Sequence, residues 1–263
     1  MKFYFVLILV FLTFFCACSK KQEAQEEIYS SAYKVISITN GGTIKGTIRT
    51  DPAQKYLATI ETQKDQDVCG TSHANPSMTN ANGTVGNCII GLERITSGKD
   101  FAKREYALDQ NGCDFRPHIQ IVPLGASIVV SNLDKTLHNY HINLGGETIV
   151  NEAQPEGAPP REAILKQKGL HVVTCDVHPW MKGYIWMADH PYYTLSDSTG
   201  AFSLNDVPPG KYKLILWRDN WNVEEVKNSG GAIESYKWAK DISKEQEVTV
   251  EAGKDVVVDF TLP

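Results

Sequence analysis

The chain contains no Cys-x-x-Cys-His segment and no Cys-x-x-Cys pair of any kind. The first absence excludes covalently attached haem. The second leaves a structural zinc site without the paired ligands it usually takes. Charge of one sign is also missing: 26 Lys and Arg stand against 31 Asp and Glu, a net charge of −5 with no basic stripe. That excludes the electrostatic footprint of a nucleic-acid binder. No long stretch carries a convincing helical period, and no apolar run reaches the roughly 20 residues of a spanning helix. The composition is otherwise that of a soluble globular protein, and 263 residues give room for one large or two small domains.

What the chain does have is concentrated in Thr174-Cys175-Asp176-Val177-His178-Pro179-Trp180-Met181, with His138-Asn139 upstream. Thiolate and thioether are soft ligands and imidazole suits copper; two His, one Cys and a weak axial Met form the set that supports electron transfer. Cys175, His178 and Met181 share one short loop, between Gly169–Thr174 and Gly183–Met187, both of which read as strands. His138 comes from a distant strand end, so the site exists only when the fold exists.

Other chemistries compete for these residues. Cys175 with His178 is half of a zinc site whose second pair is missing. Cys175 as a disulfide partner conflicts with its loop, and a catalytic Cys–His dyad has no evident third residue to orient it. His141 and His118 read as surface and structural histidines, with a supporting role around the metal or a further metal as the rival. Asn139 is expected to tie the two ligand-bearing loops together by side-chain hydrogen bonds. Pro179 and Trp180 suggest an apolar rim for partner docking; the competing reading has Trp180 plugging a gap between domains.

From Phe115-Arg116-Pro117-His118-Ile119-Gln120-Ile121, through Leu124-Gly125-Ala126-Ser127-Ile128-Val129-Val130-Ser131-Asn132 and His138-Asn139, to Cys175–Met181, the chain resembles the plastocyanin-like cupredoxins. The likeness implies a Greek-key β-sandwich and one copper ion on His138, Cys175, His178 and Met181. Plastocyanin-like loops set Met further beyond the His. The closer spacing occurs in binuclear oxidase centres, which need two Cys where this loop has one. Residues 43–263 as a whole resemble bacterial envelope proteins that join such a domain, carrying CDVHPWM, to a carboxypeptidase-regulatory-like, transthyretin-like β-sandwich, often labelled methylamine-utilisation proteins.

Lys2 followed by the apolar run Phe3–Phe15 reads as a targeting segment. Phe15-Cys16-Ala17-Cys18 resembles a lipoprotein signal, with residues 1–17 removed, lipid on Cys18 and a bacterial cell-envelope destination. An ordinary secretory signal is the rival. Residues 18–40 then read as a flexible tether. With Cys175 on the metal, Cys69, Cys88 and Cys113 remain. Cys69–Cys113 is the expected disulfide, with Cys88 a buried thiol in an apolar strand; Cys69–Cys88 stays open as the alternative.

The expected architecture is all-β: a cupredoxin domain over residues 41–190 and a small sandwich over 191–263, with short helices over 98–106 or 232–240 and a closing hairpin over 247–262. The expected role is a membrane-anchored electron carrier without catalysis or an evident small-molecule substrate, serving a redox protein such as a c-type cytochrome. Copper storage or delivery, and a surface scaffold with a structural metal, are the alternatives.

Overall fold

The computed structural model describes residues 33–51, 59–76 and 83–263. The targeting segment, Cys18 and most of the expected tether lie outside these residues. The chain is all-β, its one described helix being Gln66–Cys69.

Most of the described strands form two sandwiches. In the first, one sheet runs Arg161–Ile164, Ser127–Asn132, Tyr106–Gln110, Phe115–Arg116, and the other runs Glu147–Gln154, His138–Leu144, Gly169–Thr174, Lys182–Ala188, Ile119–Pro123. Period-two alternation puts Ile128 and Val130 inward while Ser127 and Val129 face out. Tyr106, Leu108, Ile128 and Val130 from one sheet meet Tyr140, Ile142, Val173, Ile185 and Met187 from the other in a single core.

The second sandwich departs from the expected boundary at residue 190. Its sheets run Tyr193–Leu195, Ile89–Glu93, Gly210–Arg218, Ile242–Val250 and Ala201–Val207, Gly42–Thr50, Asp255–Val257, with Phe260–Leu262 also on Gly42–Thr50. Gly42–Thr50 and Ile89–Glu93, assigned by sequence to the copper domain, are central strands here. Ile44 and Ile48 share a core with Leu214, Leu216, Val248 and Phe260. The physical reason is that alternation reports a half-buried strand but not its partner, and these partners are more than a hundred residues away. For the same reason the expected closing hairpin is absent: Ile242–Val250 pairs with Gly210–Arg218, while Asp255–Val257 crosses to the other sheet. The two expected helices are also corrected. Residues 99–105 have no regular structure between Ser97–Gly98 and Tyr106–Gln110, and Ala232–Trp238 is a strand paired with Val223–Ser229.

Between the sandwiches, Ile89 and Trp217 pack on Ile119 and Tyr184, the last two from the outer face of the five-stranded sheet. Tyr184 meets Trp217 edge-on at 4.8 Å. Cys69 is disulfide-bonded to Cys113, and Cys88 is a free, buried thiol whose pKa burial pushes up to about 12.

Candidate metal centre

The site forms where two neighbouring strands of the five-stranded sheet end together. Gly169–Thr174 pairs antiparallel with His138–Leu144 on one side and Lys182–Ala188 on the other. Thr174 pairs with His141, so Cys175 emerges near the start of the His138 strand. The loop after it is tied by its own backbone: the Cys175 N–H donates to the Met181 carbonyl at 3.3 Å, and the Met181 N–H to the His178 carbonyl at 3.0 Å. Asn139 bridges the two ligand-bearing segments. Its Oδ1 accepts the Asp176 N–H at 2.7 Å and its Nδ2 donates to the Asp176 carboxylate at 2.8 Å.

Three donors converge. His138 Nδ1 lies 2.9 Å from His178 Nδ1, and Cys175 Sγ lies 3.9 Å from each. All three residues are buried, the two histidines completely. The far side of each ring faces a carboxylate: His138 Nε2 is 3.0 Å from Asp134 Oδ2, and His178 Nε2 is 2.9 Å from Asp65 Oδ2. Asp134 is itself held by the N–H groups of Gly112 and Cys113 at 2.7 and 2.8 Å.

These contacts decide the tautomers. A carboxylate accepts, so each Nε2 carries the proton and each Nδ1 presents a lone pair. Two lone pairs 2.9 Å apart repel unless a cation lies between them. A proton is one such cation, but burial, outweighing the neighbouring carboxylates, lowers the pKa of both His138 and His178 and disfavours the imidazolium. Burial likewise raises the Cys175 thiol, against N–H groups of Asn139, His178 and Val177 that favour the thiolate. A metal ion resolves both conflicts, since it takes the lone pairs and displaces the thiol proton. The donor separations suit bonds of about 2.0–2.3 Å, the range of imidazole and thiolate on a first-row metal such as zinc. Among the described residues, His138, Cys175 and His178 form a group of three, with no fourth His, Cys or carboxylate joining them.

Sequence reasoning missed Asp134, Asp65 and the segment that carries Asp65. Asp134, four residues before His138, follows Asn132 in a turn, its N–H donating to Asn132 Oδ1 at 2.9 Å; that Asn-x-Asp pattern was the available signal. Asp65 had none. It arrives on a short cap, the paired strands Thr59–Glu61 and Ser72–Ala74 with the helix between them. The His178 contact pulls the Asp65 carboxyl below its ordinary pKa. The cap also brings His73, which stacks on Trp180 at 5.5 Å and reaches Asp114 at 3.1 Å.

The remaining expected site residues divide. Met181 is buried in the core cluster that holds Cys175 and Trp180. Trp180 is only 3% exposed, with its indole N–H donated to the Cys113 carbonyl at 3.2 Å. It is therefore not a docking rim: it fills the space beneath the cap, and not a gap between the sandwiches. Pro179 is half-buried. His141 does not join the metal donors; it pairs with Asp176 at 3.0 Å and Thr148 at 2.7 Å. His118 faces the other sandwich, with Nε2 3.0 Å from Asp219 Oδ2. Neither takes part in a second metal group among the described residues. A cleft of about 870 Å³ lined by Arg104, Pro117, Gln120 and Tyr193 opens elsewhere, and none of His138, Cys175, His178 and Met181 borders it.

A family profile described as polysaccharide lyase family 4, domain II, matches residues 166–258, roughly a third of the chain. No curated protein matches it. Among solved structures, a copper-containing nitrite reductase from Thermus scotoductus SA-01 is similar at 21% identity and a TM-score of 0.30, over 34% of this chain and 24% of that one. The chain thus spans about a quarter of the reductase's length. A purple cupredoxin from Nitrosopumilus maritimus is similar at 18% identity and a TM-score of 0.29, over 32% of this chain and 100% of its own. Amicyanin from Paracoccus versutus follows at 14% identity and a TM-score of 0.30, over 34% and 86%.

Proposed function

We propose that this protein is a mononuclear copper protein that carries electrons between redox partners in a bacterial cell envelope, anchored through lipid on Cys18, and that it is not an enzyme. One observation carries the reading: two buried imidazole lone pairs and a cysteine sulfur meet at 2.9 and 3.9 Å, with both outer ring nitrogens already committed to carboxylates. A thiolate with two imidazoles and no fourth strong donor suits copper over zinc.

In this reading His138, His178 and Cys175 would hold one copper ion, with Met181 as a weaker fourth ligand. Bound copper would supply one-electron chemistry between Cu(I) and Cu(II). The chain's own work is to keep the donors still. Asp134 and Asp65 fix the rings from behind, Asn139 locks the Cys175 loop to the His138 strand, and burial excludes water. A site held this way changes little between oxidation states. The disulfide suits an oxidising compartment. Leu133 and Leu137, 59% and 45% exposed on either side of Asp134, are the apolar surface we assign to a partner such as a c-type cytochrome. A storage or delivery role fits less well, because rapid exchange calls for exposed ligands. For the second sandwich we propose a docking or supporting role.

The test is a visible and electron paramagnetic resonance spectrum of the Cu(II)-loaded protein beside Cys175→Ser. An intense thiolate-to-copper band, absent from the variant and reversibly bleached on reduction, supports the carrier. A colourless protein that binds copper, or one that prefers zinc, overturns it.

A further inference from the structure

We propose that residues 59–74 are a latched door over the metal centre and that the Cys69–Cys113 disulfide is the latch. With the two thiols reduced the site takes up or gives up its ion; once they are oxidised it is closed. This rests on the reading of His138, Cys175 and His178 as ligands.

The cap closes the His178 side of the site. Asp65 Oδ2 lies on His178 Nε2 at 2.9 Å and accepts from the Thr136 hydroxyl at 3.1 Å. Lys64 Nζ reaches over the loop to the Val177 carbonyl at 3.2 Å. Without these residues the His178 ring loses its outer partner and its cover.

The cap has little to hold it down by itself. Its strands are three residues each and its helix four. A lone two-stranded hairpin is marginal in water. Ile60 and Cys69 are its only buried hydrophobic residues among those described. Among the described residues its non-covalent ties to the body are the packing of Ile60, Cys69 and Val68 on the first core, a few polar contacts and one ring stack, the outermost being the Tyr236 hydroxyl on the Glu61 carbonyl at 3.3 Å. The two exposed contacts, Lys64 on Val177 and Tyr236 on Glu61, hold weakly. The disulfide, closing a separation of 44 residues, is the one covalent fastening among the described residues.

The latch also ends at the ligands. Cys113 Sγ, a carboxylate oxygen of Asp134 and a ring nitrogen of His138 lie within 4.8 Å of one another. The Cys113 N–H and carbonyl hold Asp134 and Trp180 respectively. Opening the bond therefore loosens the supports of both histidines together.

The chemistry balances as thiol–disulfide exchange. One thiolate of an external dithiol attacks Cys69 Sγ, on the slightly exposed side of the bond, and Cys113 leaves as thiolate and takes a proton. The second thiol of the dithiol resolves the mixed disulfide. The dithiol gives up two electrons and two protons, and the protein gains two thiols. A disulfide-bearing oxidant reverses the step and shuts the door, so metal loading precedes oxidation.

The test uses the full-length, metal-free protein. Alkylation of Cys175 by iodoacetamide is followed by peptide mass spectrometry in the wild type and in Cys69→Ser/Cys113→Ser, with buried Cys88 as internal control. Local opening raises the Cys175 rate by about tenfold or more in the variant and leaves Cys88 unreactive; equal Cys175 rates overturn the proposal. Should Cys88 also react, hydrogen exchange of the wild type before and after phosphine reduction decides. Faster exchange confined to residues 59–74 and 175–181 supports the door, and a uniform or absent change sinks it. Uptake of one equivalent of Cu(II) should likewise be faster in the variant, and equal uptake contradicts the proposal. Copper bound by neither form defeats the ligand assignment, while the alkylation result still judges the door.

Discussion

His138 Nδ1 and His178 Nδ1 face each other at 2.9 Å, each with its Nε2 turned away onto its own carboxylate. Neither ring has a hydrogen to offer the other in its neutral form. The protein has thus built a cation site from its backs as much as from its fronts: Asp134 and Asp65 choose the tautomer, and the tautomer supplies the lone pair.

Removing either carboxylate should weaken the site without touching a donor atom. Asp134→Ala and Asp65→Ala are each expected to lower copper affinity by about 10–100-fold, the usual effect of losing an outer partner of a ligating histidine. Competition against a chromogenic chelator measures it. Asn substitutions should restore part of the loss, because an amide oxygen still accepts from Nε2–H. Affinities unchanged in the Ala variants would mean the carboxylates do not orient the rings.

The second sandwich should not fold from residues 191–263 alone, because Gly42–Thr50 and Ile89–Glu93 lie at its centre. Far-ultraviolet circular dichroism of that fragment should lack a cooperative thermal transition. Within the whole chain, Gly46→Ala would bring a Cβ to 1.8 Å from the Val258 carbonyl oxygen. Such overpacking costs about 1–3 kcal/mol, read as a lower urea midpoint. A fragment that folds alone, or a neutral Gly46→Ala, would contradict the pairing.

The metal loop was legible in the sequence, and the strand pairing was not. Cys175, His178 and Met181 fall in one loop, and Ile44 and Ile48, in phase at period two, announce a strand wherever its partners are. Asn139 was legible too, being adjacent to a candidate ligand and able both to donate and to accept. Long-range pairing leaves no local trace, which is why the strand at 42–50 was credited to the wrong sandwich and Asp65 went unseen. Trp180 was misjudged because an aromatic beside a ligand looks the same at a rim as beneath a cap; only His73 and Cys113, distant in sequence, tell them apart.

His190 gives the fold an acid-sensitive joint. It is buried, stacks on Tyr193 at 4.5 Å, and accepts the Tyr192 N–H on Nδ1 at 3.3 Å. Burial lowers its pKa to about 4, with Asp189 working weakly the other way. The unfolded chain, with an ordinary histidine near 6.5, binds the proton first. His190 therefore contributes stability that is fully present above about pH 6.5 and lost as pH falls through about 4, worth about 3 kcal/mol at most. Urea unfolding of the metal-free protein between pH 7 and 4 should show the decline, and His190→Phe should start lower but fall less steeply. Parallel curves would exclude His190 as a source of the slope.

The centre itself is tested most directly by copper-edge X-ray absorption on the loaded protein in both oxidation states. The expected shell is one short sulfur and two imidazole nitrogens around copper, nearly unchanged between Cu(II) and Cu(I). A shell of oxygen and nitrogen without sulfur, or a ligand set that rebuilds on reduction, would contradict it.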